Sequence, residues 1–217
     1  LATRGGHDFY PKQDAADKIL LLYGELAGEQ IMPKNFIFYN PEAHRRIIEL
    51  LERSGAPALV CSTGYNPLTA GGVYPFPLFE DGDFDIPSVF MTEEEGKRLL
   101  RCSGREVQLV SRARRIPSFG ENILAGKGPV EGERIVVTAH IDAKKGTPGA
   151  IDNATGVITL MLLAELLRDY NGEHRIELVA FNGEDYYAVP GQMAYLKQNQ
   201  ERFGSIRLNI NIDGAGY

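Results

Sequence analysis

Six side chains in the second half of this 217-residue chain are of types that bind divalent cations or move protons: His140, Asp142, Asp152, Glu184, Asp185 and Asp213. Hydrophobic patterning places each of them just past the end of a strand or at the entrance to a helix. Asp152 or Asn153 alone would read as a helix cap, because Asp and Asn are preferred there. The set reads differently. Carboxylates converging on one rim repel one another, and such a cluster is tolerable mainly when cations neutralise it. A carboxylate-rich set with one imidazole suits one or two zinc or similar divalent ions.

The elements that must position these groups follow from periodicity. From residue 122 the chain alternates long elements: strand 122–125, strand 134–140, helix 154 to about 170, strand 175–181, helix 189 to about 203 and strand 206–213. The strands around Ile135 to Thr138 and Ile176 to Ala180 are near-continuous apolar runs, as expected of strands covered on both faces by crossover helices. The first helix is apolar nearly all round, through Val157, Ile158, Leu160, Met161, Leu162, Leu163, Leu166 and Leu167, so it should be covered on most sides. This predicts an α/β fold with a doubly wound, mostly parallel sheet, whose ligands bind at the carboxyl ends of the strands.

Upstream, short β-rich runs alternate with helices. Strands are expected at 19–23, 35–39, 58–61, 88–91 and 106–110. One helix has Asn40 as N-cap, Pro41 in its first turn and Gly55 as terminator; a second opens on Thr92 and Glu95 in capping-box spacing. The basic, proline-bearing stretch 111–121 lacks an apolar period and marks a junction between a smaller α/β domain, residues 1–115, and a second domain, residues 116–217.

The runs VVTAHIDAKKGTPGAIDNATGVITLMLLAELL, IELVAFNGEDYYAVPGQMAYL and LNINIDGAGY, in that order, resemble the zinc-dependent co-catalytic aminopeptidases over residues 122 to 217. The first half resembles the protease-associated domain often inserted into such peptidases, through its strand order and the pattern FDIPSVFMTEEEGKRLL. The resemblance implies that His140 and Asp213 bind one zinc, that Asp152 bridges two, that Asp185 binds the second, that Glu184 is the general base, and that Asp142 orients His140 or tunes its basicity. A water between two such ions has its pKa lowered towards about 7. Glu184 would take its proton as it attacks the scissile carbonyl, then return a proton to the leaving amine.

Two departures bear on this. Family members usually carry glutamate where Asp185 stands, so the reach is one methylene shorter. The second metal also needs a histidine from well downstream of Asp213, and no remaining histidine substitutes for it. His174 lies at the far end of its strand, roughly 20 Å away at about 3.3 Å per residue, His44 belongs to the other domain, and His7 lies in an irregular leading segment. The expectation is therefore a fragment of a longer peptidase, with a complete first metal site and a half-built second one.

Other chemistries are poorly supported. The balance of 23 basic and 29 acidic residues, net −6, disfavours a nonspecific grip on nucleic acid. No apolar run approaches the 18 residues of a spanning helix. Cys61 and Cys102 read as half-buried thiols. Asp81, Asp83 and Asp85 begin like a calcium loop, but Ile86 occupies the position that needs glycine. Gly126-Lys127-Gly128 lacks the spacing and the hydroxyl of a phosphate loop, and no GxSxG is present. The expected partner is a peptide, with homo-oligomerisation left open; the lack of a visible signal leans to the cytoplasm, with secretion as the alternative. A metallo-exopeptidase, most simply an aminopeptidase, leads over a non-catalytic binding or receptor-like module on the same fold. The 217-residue chain by itself should show weak or no peptidase activity; robust, chelator-sensitive turnover of aminoacyl-nitroanilides would contradict this.

Overall fold

The computed structural model describes residues 2–4, 15–28, 31–34, 36–37, 39–63, 84–112, 114, 116–186 and 188–216. His7, Asp81 and Asp83 lie outside them. The chain divides into two compact units, Leu1–Arg115 and Ile116–Tyr217. No helix among the described residues is long and apolar enough to cross a membrane.

The first unit is built on four parallel strands in the order β1 (Ala2–Arg4), β2 (Leu20–Tyr23), β3 (Leu59–Ser62) and β4 (Ser88–Met91). A short helix, α1 (Glu25–Gly28), follows β2. Along β2, Leu20 and Leu22 are buried while Leu21 and Tyr23 are partly exposed. The buried pair meets Leu59 and Cys61 of β3 and the stripe Ile47, Ile48 and Leu51 of α2 (Glu42–Glu52). Leu21, Val60 and Val89 face the other way, towards α3 (Glu93–Leu100), whose N-cap Thr92 accepts a hydrogen bond from the Glu95 amide. Burial raises the pKa of the Cys61 thiol, which suits a structural rather than a reactive cysteine.

Three local expectations change here. Asn40 does not cap α2; its Nδ2 donates to the carbonyls of Pro33 and Lys34 and so holds the preceding loop, while Pro41 occupies the cap position. Residues 106–110 are extended but unpaired, and Val107 and Val110 are exposed. Apolar residues with β propensity form a strand only where a neighbouring strand offers a ladder. Residues 35 and 38 lie outside the described set, and Phe36 and Ile37 between them are irregular.

The second unit has a sheet in the order β5–β7–β6–β8, formed by β5 (Ile123–Lys127), β6 (Arg134–His140), β7 (Arg175–Phe181) and β8 (Ile206–Asn211). β5 runs antiparallel to β7; β6 is parallel to both β7 and β8. The chain leaves β6 through α4 (Thr155–Leu166) to reach β7 on one side, then crosses back through α5 (Pro190–Gln198) to β8 on the other. Two separate cores result. Val137, Ala139, Ile176, Leu178 and Ala180 face Leu160, Leu163 and Leu167 around α4, whereas Val136, Val179 and Phe181 face Tyr195 of α5. Alternate residues of one strand feeding opposite cores is what a doubly wound sheet requires.

The helical expectations were too long. An irregular turn, Ala150–Ala154, precedes α4, which ends at Leu166, and α5 gives way to a 3₁₀ segment, Gln200–Ser205. The cover expected over α4 is also one-sided. Ile158, Met161, Leu162 and Leu166, at helical spacing, are between 54% and 80% exposed, because among the described residues only the sheet packs against this helix.

At the end of the sheet remote from His140, a buried polar network fixes α5 and the segment after it. Arg134, 1% exposed, donates from Nε to Ser205 Oγ (2.9 Å), from Nη1 to Asn199 Oδ1 (2.9 Å) and Glu177 Oε2 (3.3 Å), and from Nη2 to the Arg202 carbonyl (3.0 Å). The Tyr195 hydroxyl donates to the other Glu177 oxygen, and burial followed by that contact raises the tyrosine pKa. Removing the guanidinium strands a buried carboxylate and two side-chain acceptors. Arg134→Ala should cost about 3–5 kcal/mol, measurable as a lower midpoint in urea unfolding; a loss below about 1 kcal/mol would show that the network is not structurally important.

Candidate metal centre

His140 is the last residue of β6, and it is only 3% exposed. Its strand is hydrogen-bonded on both sides, so the ring is delivered to the carboxyl end of the sheet by a fully paired backbone. Nδ1 lies 3.0 Å from the Asp142 carbonyl oxygen. If that nitrogen carries the proton, Nε2 is left with a lone pair directed at the rim.

Three carboxylates meet that edge of the ring. Nε2 is 2.9 Å from Asp152 Oδ1, 3.4 Å from Asp213 Oδ1 and 3.9 Å from Glu184 Oε2; Asp185 joins the cluster from the residue after Glu184. Asp152 comes from the turn before α4, Glu184 and Asp185 from the loop after β7, and Asp213 from just past β8. The segments after the parallel strands β6, β7 and β8 therefore all contribute.

Asn153 joins two of these elements. Its Nδ2 donates to the Ile212 carbonyl (2.9 Å) and its Oδ1 accepts from the Gly156 amide (3.0 Å), tying the start of α4 to the residue before Asp213. The Asp152–Asn153 peptide is cis. Gly156 fits this approach because a Cβ there would lie 2.7 Å from the Ile212 carbonyl oxygen.

Asp142 meets His140 through its main chain, and its carboxylate has a further job. Its carboxylate is 3.7 Å from His140 Nδ1, too far for a hydrogen bond, and it is the main-chain oxygen of Asp142 that meets the ring. The carboxylate instead accepts from two consecutive amides, Glu184 N–H to Oδ1 (3.0 Å) and Asp185 N–H to Oδ2 (3.1 Å). The side chain two residues past the histidine thus fixes the loop that carries the general-base candidate. Lys144 adds to this hold, donating from Nζ to the Asp185 carbonyl (3.2 Å) with its ammonium 5.8 Å from the centre of the Tyr186 ring. Sequence reasoning missed Lys144 altogether; its position two residues after Asp142, on the same exit loop, was the only available signal.

Two buried polar atoms of the cluster, His140 Nε2 and Asp185 Oδ2, have no hydrogen-bond partner among the described residues. Orphaned buried polar atoms are rare in proteins. Ligand atoms of His140, Asp152 and Asp213 lie within 4.8 Å of one another, as do those of His140, Asp142 and Asp185. The first group fits a divalent cation, with an imidazole and two carboxylates meeting on the open side of the ring. In the second, both Asp142 oxygens are already occupied by amides, so Asp185 is the oxygen donor still available there, and the geometry groups it with Asp142 rather than with Asp152.

Burial and the neighbouring charges shift the proton affinities of the cluster. Burial lowers the pKa of His140, but Glu184, Asp213, the Asp142 carbonyl and Asp152 outweigh it and the net value is raised. Burial raises Glu184, with Asp213, Asp185 and Asp142 adding to it against His140. Burial also raises Asp185, helped by Asp152 and opposed by His140, Asp142 adding to the rise and Lys144 opposing it.

The doubly wound α/β unit thus gathers a carboxylate–imidazole cluster at the switch between its crossovers, where such sheets bind ligands. Residues 122–217 match the family model described as peptidase family M28. The aminopeptidase YwaD of Bacillus subtilis is 25% identical over 169 residues, covering 76% of this chain and 35% of that protein. YfbL of Escherichia coli is 38% identical over 73 residues, covering 30% of this chain and 23% of that protein. A solved zinc aminopeptidase from Bacillus subtilis shares the fold with a TM-score of 0.63 at 22% identity, over 95% of this chain and 47% of that one. The chain thus spans about a third or less of these curated relatives and about half of the solved structure.

Folded-state values raised above the unfolded ones mean that protons stabilise the metal-free chain. The contribution of His140 is present below its unfolded pKa of about 6.5 and is lost as pH rises through the higher folded value; those of Glu184 and Asp185 are likewise lost as pH rises through theirs. The melting temperature of the metal-free chain should therefore rise as pH is lowered from about 8 to about 6, and saturating zinc should remove that dependence while raising the melting temperature. A flat profile without metal would show that these groups do not sense one another as the geometry requires.

Proposed function

We propose that the second unit carries the catalytic centre of a zinc-dependent exopeptidase, most simply an aminopeptidase that hydrolyses N-terminal peptide bonds. The observation that carries the reading is a buried imidazole whose Nε2 makes no hydrogen bond among the described residues and has carboxylate oxygens of Asp152, Asp213 and Glu184 within 3.9 Å, Glu184 belonging to neither ligand group. The names of the relatives support the choice of metal and of substrate.

His140, Asp152 and Asp213 would hold one ion, and Asp185 would contribute to a second. Bound there, divalent ions supply Lewis acidity to the scissile carbonyl and to the attacking water. Glu184 accepts the proton that this water loses and returns one to the leaving amine. Its side chain is 39% exposed, so it can reach a substrate. Asp142 keeps the Glu184 backbone in register with His140 by accepting its amide. Beside Glu184, a cavity of about 870 Å³ bordered by Gly183, Tyr186, Phe119 and Leu124 has room for part of a peptide. The first unit is read as a protease-associated-like domain that accompanies the catalytic one.

Glu184→Gln tests the assignment in a protein containing the whole catalytic domain. Metal content should be unchanged, and kcat for aminoacyl-nitroanilides should fall by about 10²–10⁴-fold. Unchanged turnover would remove Glu184 from its role, and a wild-type protein that binds zinc and peptide without hydrolysis would be a binding module on this fold.

A further inference from the structure

The loop leaving β6 grips the residue pair Glu184–Asp185 with two side chains. Asp142 takes both amide hydrogens, and Lys144 donates to the carbonyl of the second residue. Three backbone polar groups of two consecutive residues are thereby held from one loop. Asp185 has a short side chain, so its backbone position decides where its unpartnered Oδ2 points. The Lys144 charge favours the ionised Asp185 carboxylate but repels any cation bound there. We propose that Lys144 is a positioning residue for the metal centre, which sets the carboxylate of Asp185 for cation binding by holding its main-chain carbonyl. The inference rests on the metal-centre reading above.

Position and charge predict opposite signs. If Lys144 acts only as a charge, its removal relieves repulsion and tightens metal binding. If it positions Asp185, its removal weakens binding, as loss of an outer-sphere partner does, by between about tenfold and a hundredfold. The metal-free 217-residue chain is titrated with Co²⁺, followed by calorimetry and by visible absorption, with far-UV circular dichroism reporting the fold. Lys144→Met, which keeps the aliphatic stem, should bind the second Co²⁺ equivalent, the one that Asp185 would help to hold, at least tenfold more weakly, with the first equivalent unchanged; Lys144→Arg, which keeps a donor and the charge, should stay within about threefold of wild type for both, below the lower limit for a lost partner. In an Asp185→Asn background, Lys144→Met should weaken binding no further, because the lysine acts through that carboxylate.

Tighter or unchanged binding by Lys144→Met overturns the inference and leaves the metal centre standing. Additive losses in the double variant, or a loss in Lys144→Arg equal to that in Lys144→Met, overturn it as well. A wild-type chain that binds no Co²⁺ overturns the metal-centre reading itself, and the inference with it.

Discussion

Like charges held together at the end of a sheet are the constraint around which the second unit is built. Two unit charges 4 Å apart interact by about 4 kcal/mol at an effective dielectric constant of 20, and three carboxylates crowd the Nε2 side of His140 with Asp185 close by. The protein relieves part of this itself. Asp142 is satisfied by two amides, and Lys144 contributes a cation beside Asp185. His140 lowers the proton affinity of Glu184 and Asp185, yet both remain raised. The remaining imbalance falls on Asp152, Asp185, Asp213 and the imidazole, the groups whose open atoms face one another.

Holding such a cluster needs a rigid frame, and the topology provides one. Each acidic group follows a parallel strand or enters a helix packed on the sheet, so none depends on a long free loop. β6 is paired on both sides and buried on both faces, and it has charged or polar residues at its two ends. At one end Arg134 is fully engaged by Glu177, Asn199, Ser205 and the Arg202 carbonyl. At the other His140 is left with an open nitrogen. The contrast separates a structural polar network from a site: both are buried, but only one has atoms without partners.

How much could be read beforehand follows the range of the interactions. The runs at 134–140 and 175–181 coincide with β6 and β7 because burial on both faces writes an unbroken apolar pattern into the local sequence. The Thr92 cap was legible because the bond spans three residues. The run 106–110 misled because pairing is a property of two segments, and the apolar character of α4 reported a need for cover without saying what supplies it. The site residues were legible as a set, since chemistry restricts the types and topology puts strand ends together. The roles of Asp142, Asn153 and Lys144 were not, because each depends on which backbone groups of a distant loop come within 3 Å or so.

The same geometry links proton and metal occupancy. An imidazole surrounded by carboxylates attracts protons for the reason that it attracts cations, and raised pKa values in the metal-free state measure that attraction. Binding a divalent ion through His140 requires its Nε2 to be unprotonated, so metal must displace the proton that the cluster favours. Glu184 is placed differently. It stands outside both ligand groups, close enough to feel their charge and exposed enough to meet a substrate. A cation on its neighbours would lower its proton affinity from the raised metal-free value, so the metal that organises the site would also adjust its general base towards the ionised form at neutral pH.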